Sequence, residues 1–242
     1  MIYYNNLSAF TEVHLGNTNI TEVYFGDVKK WPTGSQPFGG KFKLTLNDST
    51  VITKDCDAST TITQSEVDAY SATTVIAEIG GCVLSIGFMA FFNTPNLRKV
   101  ILPNGLITIG TDAFYTCPAL TAITIPNSVA NINQYAFSGC YGLTSIDIPD
   151  SVTTIGGQAF NSCTALTSVT IGTGVTEIRN EAFQYCRSLT SVTVNAVTPP
   201  TLGNNVFNTT NNCPIYVPAE SVNTYKSASG WSNYSSRIQA IP

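Results

Sequence analysis

The chain has little charge, a single histidine and no long apolar run. Asp, Glu, Lys and Arg make up 11% of its 242 residues, and the formal net charge is −4. Lys and Arg do not cluster, so nothing offsets the repulsion between an acidic chain and a phosphate backbone, and we expect no nucleic-acid binding. Nowhere do 18 apolar residues follow one another, so we expect no membrane insertion.

The N-terminus lacks the features of a secretory leader. Residues 1–10 contain neither a basic start nor an apolar stretch of sufficient length. Two interpretations remain open: a secreted protein whose leader is missing from this chain, or a protein kept in the cytoplasm until lysis or particle assembly.

Catalytic and cofactor motifs are also missing. No nucleophile elbow, metal-binding His pair, phosphate-binding glycine loop or dinucleotide fingerprint occurs. His14, the only histidine, belongs to a strand-like pattern and is expected to face solvent. The acidic pairs Asp147 with Asp150 and Glu177 with Glu181 lie at exposed positions, which favours a solubilising role over general acid–base catalysis. We therefore predict that the chain is not an enzyme and has no cofactor, metal or catalytic residues.

The seven cysteines do not indicate a complete disulfide framework, because their number is odd. Four of them recur every 23 residues and so would stack in one column: Cys117, Cys140, Cys163 and Cys186. Parallel side chains in register have poor geometry for a disulfide and cannot surround a zinc ion. We expect these four to be small buried apolar residues. Cys56, Cys82 and Cys213 lie outside the column.

What the sequence does contain is one pattern repeated along most of its length. The pair Ala-Phe recurs at intervals of 23 residues, together with most other apolar positions. Its five copies begin at Ala90, Ala113, Ala136, Ala159 and Ala182. A unit this small cannot bury its own apolar face, whereas stacked neighbours bury each other's. The repeat predicts a solenoid whose function lies on its surface.

Each copy combines a strand pattern with a turn pattern. The segment Leu-x-x-Ile-x-Ile alternates apolar and polar residues, which predicts one strand per repeat with one buried face. In the Ala-Phe segment, Ile132, Ala136, Phe137 and Cys140 are spaced so that a short helical or 3₁₀ turn brings all four inward. The result is a β-rich solenoid with short helical or 3₁₀ turns and a core made of columns.

The repeat spelled out by residues 143–163 resembles the BspA-like leucine-rich repeat of surface proteins from anaerobic gut and oral bacteria. The resemblance extends over roughly residues 83–195 and implies adhesion or attachment to host or bacterial surfaces. Commoner leucine-rich repeats carry Asn or Cys where this chain has Ser128, Ser151 and Gly174, so we expect no side-chain amide ladder.

The segments outside the repeats divide the chain further. Residues 1–34 contain two strand patterns, Glu-Val-x-Leu-Gly and Glu-Val-x-Phe-Gly, and are predicted to form a small β module that self-associates or docks on a partner. Through Tyr24, Gly26 and Trp31 this segment also resembles short N-terminal segments of phage and prophage tail-associated proteins. Residues 35–80 are predicted as a β-hairpin and N-terminal cap, 81–195 as the repeats, and 196–242 as a C-terminal cap.

Recognition is the function class that remains. The exposed strand positions are small and nearly uncharged, whereas larger groups lie on the turn side of the repeat. Rigid aromatic anchors favour that side as the ligand-binding surface, although the same tyrosines could simply cover the ends of the Phe column. The candidate residues are Tyr115, Tyr135, Tyr141, Tyr185 and Arg187. We predict a secreted or cell-surface protein that binds a protein or surface ligand; the alternative is a virion-associated component of a phage or prophage tail.

Overall fold

A computed structural model describes residues 24–25, 28–29, 40–56 and 60–242. Helices are few and short: Gln64–Val67 and Val222–Ser227 are α-helical, and three 3₁₀ segments span Asp68–Tyr70, Ala219–Ser221 and Trp231–Tyr234. Most of the regular structure is parallel β-sheet, arranged as successive turns of a three-sided coil. We call the three sides the long-strand face, the short-strand face and the turn face.

The long-strand face contains the strand that the repeat pattern predicts. Its strands are Thr74–Ile79, Lys99–Ile101, Ser145–Ile148, Ser168–Ile171, Ser191–Val194, Ile215–Val217 and Ile238–Ala240. Residues pair at an offset of 23, as in Ile146 with Val169 and Val169 with Val192, so identical positions of neighbouring repeats stand side by side. Between the second and third strands Ala122 forms only an isolated bridge to Lys99, and the face is therefore two sheets.

The short-strand face corrects the prediction of one strand per repeat. A second, two-residue strand forms in every copy: Thr61–Ile62, Ser85–Ile86, Thr108–Ile109, Asn131–Ile132, Thr154–Ile155, Glu177–Ile178 and Thr201–Leu202. Together they form one parallel sheet of seven strands. Two residues are too few to show an alternating pattern. Ile132 therefore belongs to a strand and not to the turn, although it is buried as predicted.

The turn face is built from tight turns. Ala136 N–H donates to the Asn133 carbonyl, Ser138 N–H to Tyr135 and Cys140 N–H to Phe137, which are the i to i+3 bonds of successive β-turns. A continuous helix is prevented because Tyr135 has φ 57° and Gly139 has φ 73°. The remaining amides bind the next repeat, as where Phe137 N–H donates to the Ala159 carbonyl at 2.7 Å.

The core consists of the expected columns. Six phenylalanine rings stack with centroids 5.2–5.7 Å apart and interplanar angles of 1–8°: Phe91, Phe114, Phe137, Phe160, Phe183 and Phe207. All six are essentially inaccessible to solvent. Cys117, Cys140, Cys163 and Cys186 form a parallel column of buried free thiols, which confirms the prediction for them.

The first buried coil is closed by a hairpin and a short helix. Phe42–Leu46 pairs antiparallel with Val51–Lys54, as predicted, and on its other side with Thr74–Ile79, which continues parallel into the repeats. Glu66 accepts hydrogen bonds from the Lys41 and Lys54 ammonium groups and from the Thr63 backbone amide. A Cys56–Cys82 disulfide, which the sequence analysis did not anticipate, ties the hairpin to the start of the repeats.

Aromatic residues close the other end of the column. Phe207 continues the stack, and Trp231 and Tyr234 then meet its ring at interplanar angles of 45° and 81°. Trp231 Nε1 donates to the Pro200 carbonyl at 2.7 Å, and Tyr225 OH donates to Ala196 at 2.7 Å. These tilted rings leave no flat face for a further repeat, which supports the predicted cap.

Of residues 1–34 the structure describes only two short strands. Tyr24–Phe25 pairs antiparallel with Val28–Lys29, Tyr24 opposite Lys29. The rest of the predicted N-terminal module, His14 included, lies outside the described residues, and the domain boundaries stay predictions.

Candidate binding surface

The turn face presents residues in an unusual backbone conformation. Two residues per turn have positive φ, between 50° and 73°, and in most copies neither is glycine. One of these positions holds Met89, Asp112, Tyr135, Gln158 and Glu181 in successive repeats; the other holds Asn93, Thr116, Gly139, Ser162 and Tyr185. A bulky residue in this region is strained by about 1 kcal/mol. Tyr135 and Tyr185 keep that strain where other repeats use smaller or more polar residues.

The structure brings two of the predicted site residues together. Tyr115 and Tyr135 meet edge to face, with ring centroids 6.2 Å apart. Tyr115 also stacks on Phe92, at 5.3 Å and an interplanar angle of 6°. These three rings lie outside the buried Phe column and are partly accessible to solvent. We call Phe92, Tyr115 and Tyr135 the aromatic cluster.

Tyr185 and Arg187 form a second pair further along the solenoid. The Arg187 guanidinium carbon lies 5.8 Å from the centre of the Tyr185 ring, a cation–π contact. Tyr185 is 41% exposed. Tyr141, at 48% exposure, occupies in its own repeat the position that Arg187 holds two repeats later, and it has no aromatic or cation–π contact among the described residues. The five predicted residues thus form two pairs and one isolated side chain.

Sequence reasoning missed two aromatic residues of this surface. Phe92 lies in the same column as Tyr115, where later repeats have Ser138, Asn161 and Gln184. Phe88, one residue before the left-handed Met89, is 59% exposed. The 23-residue register was a usable signal for Phe92, because its column has aromatic residues in the two early repeats and small or amide side chains in the later ones.

The long-strand face differs in that its four strands between Lys99 and Val194 carry no aromatic side chain. Thr144, Thr167 and Thr190 each use their hydroxyl to donate to the carbonyl of the equivalent residue one repeat earlier. A hydroxyl that donates to a backbone carbonyl of the protein is not available to donate to a ligand. Ser128 and Ser151 behave similarly, donating to Leu106 and Val129, where commoner leucine-rich repeats use an amide.

Two of the four carboxylates considered for catalysis, Asp150 and Glu177, have structural partners. Asp150 accepts from the Thr173 backbone amide at 2.6 Å, and Glu177 pairs with Arg179 at 3.1 Å. Burial raises the pKa of the Cys117 thiol to about 12 and that of Cys140 and Cys163 well above the ordinary value. Within the described ranges, no group of His, Cys, Asp and Glu could hold a metal ion, and no helix is long and apolar enough to cross a membrane.

Parallel strands, one repeat per coil and an inward column of Leu, Ile and Phe define a leucine-rich-repeat solenoid. Residues 84–224 match the BspA type leucine rich repeat region in six copies, so the chain belongs to that family. A comparison with curated proteins finds no match.

Solved structures include two informative relatives. A leucine-rich-repeat protein of T. pallidum is 32% identical over 56% of this chain, with a TM-score of 0.53. A leucine rich cell surface protein from Faecalibacterium prausnitzii is 25% identical over 88% of this chain, with a TM-score of 0.60. The chain spans 62% and 56% of those two proteins. None of these comparisons supports the resemblance of the N-terminal segment to phage tail proteins.

Proposed function

We propose that this protein is a non-enzymatic adhesion or recognition protein that binds a protein on a bacterial or host cell surface through its turn face. The observation that carries the proposal is the aromatic cluster. The exposed Phe88 lies four residues before Phe92, a member of that cluster. Aromatic side chains with few rotatable bonds are the commonest anchors of protein interfaces. The long-strand face offers no comparable cluster of aromatic rings among the described residues.

The positive φ of Tyr135 and Tyr185 supports a functional role over a purely covering one. Glycine adopts this conformation without strain, and Gly139 already stands at the position equivalent to Tyr185. Selection for stability alone does not favour a bulky ring there. What sets Tyr135 and Tyr185 apart from the equivalent residues is a partly exposed aromatic ring, and this supports contact with a ligand.

An extracellular or cell-surface location is part of the proposal. The relative from Faecalibacterium prausnitzii is described as a cell surface protein. The Cys56–Cys82 disulfide points the same way, because disulfides persist mainly in oxidising compartments. No observation favours the alternative of a virion component.

The test uses glycine substitutions that preserve the backbone. Fluorescently labelled protein is titrated onto intact bacterial and host epithelial cells, with and without prior trypsin treatment of the cells. We expect saturable, trypsin-sensitive binding that falls at least about tenfold in Tyr135→Gly and Tyr185→Gly, the loss typical of an interface anchor. The melting temperature of both variants should equal or exceed that of the parent.

Matched controls occupy the same positions in another repeat. Gln158→Gly is equivalent to Tyr135→Gly, and Ser162→Gly is equivalent to Tyr185→Gly. Both controls should bind as the parent does. Undiminished binding by the tyrosine variants would show that the turn face is not the recognition surface, and trypsin-resistant binding would exclude a protein ligand.

A further inference from the structure

The C-terminal cap contains a polar cavity that is separate from the turn-face residues discussed above. It has a volume of about 610 Å³ and lies where the last repeat meets residues 233–239. This volume is in the range of about 300–1,000 Å³ typical of small-ligand sites. Its walls include Arg237, Tyr216, Asn212, Asn233 and Gln239, and none of its lining residues carries a carboxylate.

Arg237 is held rigidly in this wall. Its Nε donates to the Cys213 carbonyl at 2.8 Å, and its two terminal nitrogens donate to the Phe207 carbonyl and the Thr210 hydroxyl. The guanidinium lies over the Tyr234 ring, 5.4 Å from its centre. A further donation to the Cys213 sulfur brings the number of occupied N–H groups to four of the five that arginine has.

The charge of this arginine is not neutralised by the protein. No ion pair among the described residues involves Arg237. Glu220 is the only acidic side chain after residue 190, and it is not part of the cavity wall. A fixed cation without a counter-ion, with one N–H still to donate, favours an anionic group in the cavity.

The other groups in the wall are suited to hydroxyls. Tyr216 and Gln239 pair directly across neighbouring parallel strands, so their outward side chains stand next to each other. The amides of Asn212, Asn233 and Gln239 make no side-chain hydrogen bond within the described part of the chain. An amide donates and accepts at once, as vicinal hydroxyls require, and an aromatic ring packs against the C–H face of a sugar.

We propose that this cavity binds a carboxylated saccharide unit of the hexuronate type. The carboxylate lies toward Arg237, the hydroxyls bind the three amides, and the sugar ring packs on Tyr216. The site would give a surface protein a second contact, to acidic glycan, that is independent of the turn face.

Titration calorimetry with glucuronate, glucose and acetate tests this inference on the full chain. Glucuronate is expected to bind with a millimolar dissociation constant, and glucose and acetate at least about tenfold more weakly, since each lacks half of the recognised groups. Arg237→Gln should lose about tenfold or more of the glucuronate affinity. Equal affinity for glucuronate and glucose, or for glucuronate and acetate, would overturn the assignment.

Variants of two exposed amide residues provide a second test in case Arg237→Gln does not fold. Gln239→Ala and Asn233→Ala should weaken glucuronate binding severalfold with an unchanged melting temperature, whereas Gln134→Ala, on the turn face, should have no effect. Tyr135→Gly should also bind glucuronate normally, so failure of this proposal and failure of the proposed function are distinguishable. Unchanged affinity in both cavity variants, or no detectable glucuronate binding to the parent, would contradict the inference.

Discussion

At the scale of single residues, stability is concentrated in the Phe column. Each interior ring has a parallel neighbour above and below, as Phe137 has in Phe114 and Phe160. Every ring in the column is buried, so truncation removes apolar contacts on all sides. The neighbouring repeats are held in register by backbone hydrogen bonds and cannot collapse into the space.

Phe137→Ala is therefore expected to destabilise the fold by about 3–5 kcal/mol. The measurement is the free energy of unfolding from urea titration, with the exposed Gln134→Ala as control. A loss within about 0.5 kcal/mol of the parent, the range of ordinary surface substitutions, would contradict the buried column.

The thiol column gives a second prediction at this scale. Burial raises the pKa of the Cys117, Cys140 and Cys163 thiols. Each thiol of the column donates to a phenylalanine carbonyl, as Cys140 does to Phe114 at 3.2 Å. Thiolates are the reactive form, so the folded protein should react very slowly with a thiol reagent. Unfolding without reductant should release five thiols, and unfolding with reductant seven, because Cys56 and Cys82 are paired. A different count in either condition would contradict the pairing described here.

At the scale of elements, the N-terminal cap depends on the Glu66 carboxylate. Burial alone would raise its pKa, but hydrogen bonds from Lys41, Lys54 and Thr63 outweigh that effect and lower the pKa to about 2. Lys41 is itself 1% exposed, so the charge of Glu66 faces a buried ammonium group. The helix, the hairpin and both lysines meet at this one carboxylate.

Glu66→Gln should cost about 1–3 kcal/mol at pH 7, the range for hydrogen bonds to charged groups. Because the folded pKa is lowered, the stabilisation is complete above the unfolded value of about 4.5 and is lost as the pH falls towards 2. Urea unfolding at several pH values should show the difference between parent and variant disappearing over that interval. Glu220→Gln, at an exposed position without an ion pair among the described residues, serves as control; a pH-independent deficit in Glu66→Gln would contradict this account.

At the scale of the whole molecule, the buried core is continuous from Phe42 to Ile238. Each repeat contacts its neighbours, and both ends are closed by elements after residue 39: the hairpin at one end, Trp231 and Tyr234 at the other. Stability in such an array is approximately a sum of repeat and interface contributions. We therefore expect the described core to be stable without residues 1–34.

Deleting residues 1–34 should leave the melting temperature nearly unchanged while abolishing self-association or attachment to a partner. The expected readouts are calorimetry and the molar mass from light scattering. If the deletion unfolds the solenoid and the full chain is a monomer that binds nothing through this end, the segment belongs to the N-terminal cap.

The 23-residue interval by itself determined the class of fold, the strand register and the members of the core columns. It did so because one conformation repeated in register brings like residues together, so a column such as Phe114, Phe137 and Phe160 is visible in the sequence before any coordinate. Counting back 23 residues from Leu97, Val100 and Leu102 reaches Thr74, Ala77 and Ile79, a degenerate copy of the repeat. In the structure these residues lie in the strand that joins the cap to the repeats.

Features that depend on neighbouring repeats or on distant segments required the tertiary structure. The short strand at Asn131–Ile132 exists only because a repeat on each side offers hydrogen bonds to it. The Cys56–Cys82 disulfide joins residues 26 apart that no periodicity relates. Tyr115 and Tyr135 occupy different columns of neighbouring repeats, so their edge-to-face contact is visible only in the tertiary structure.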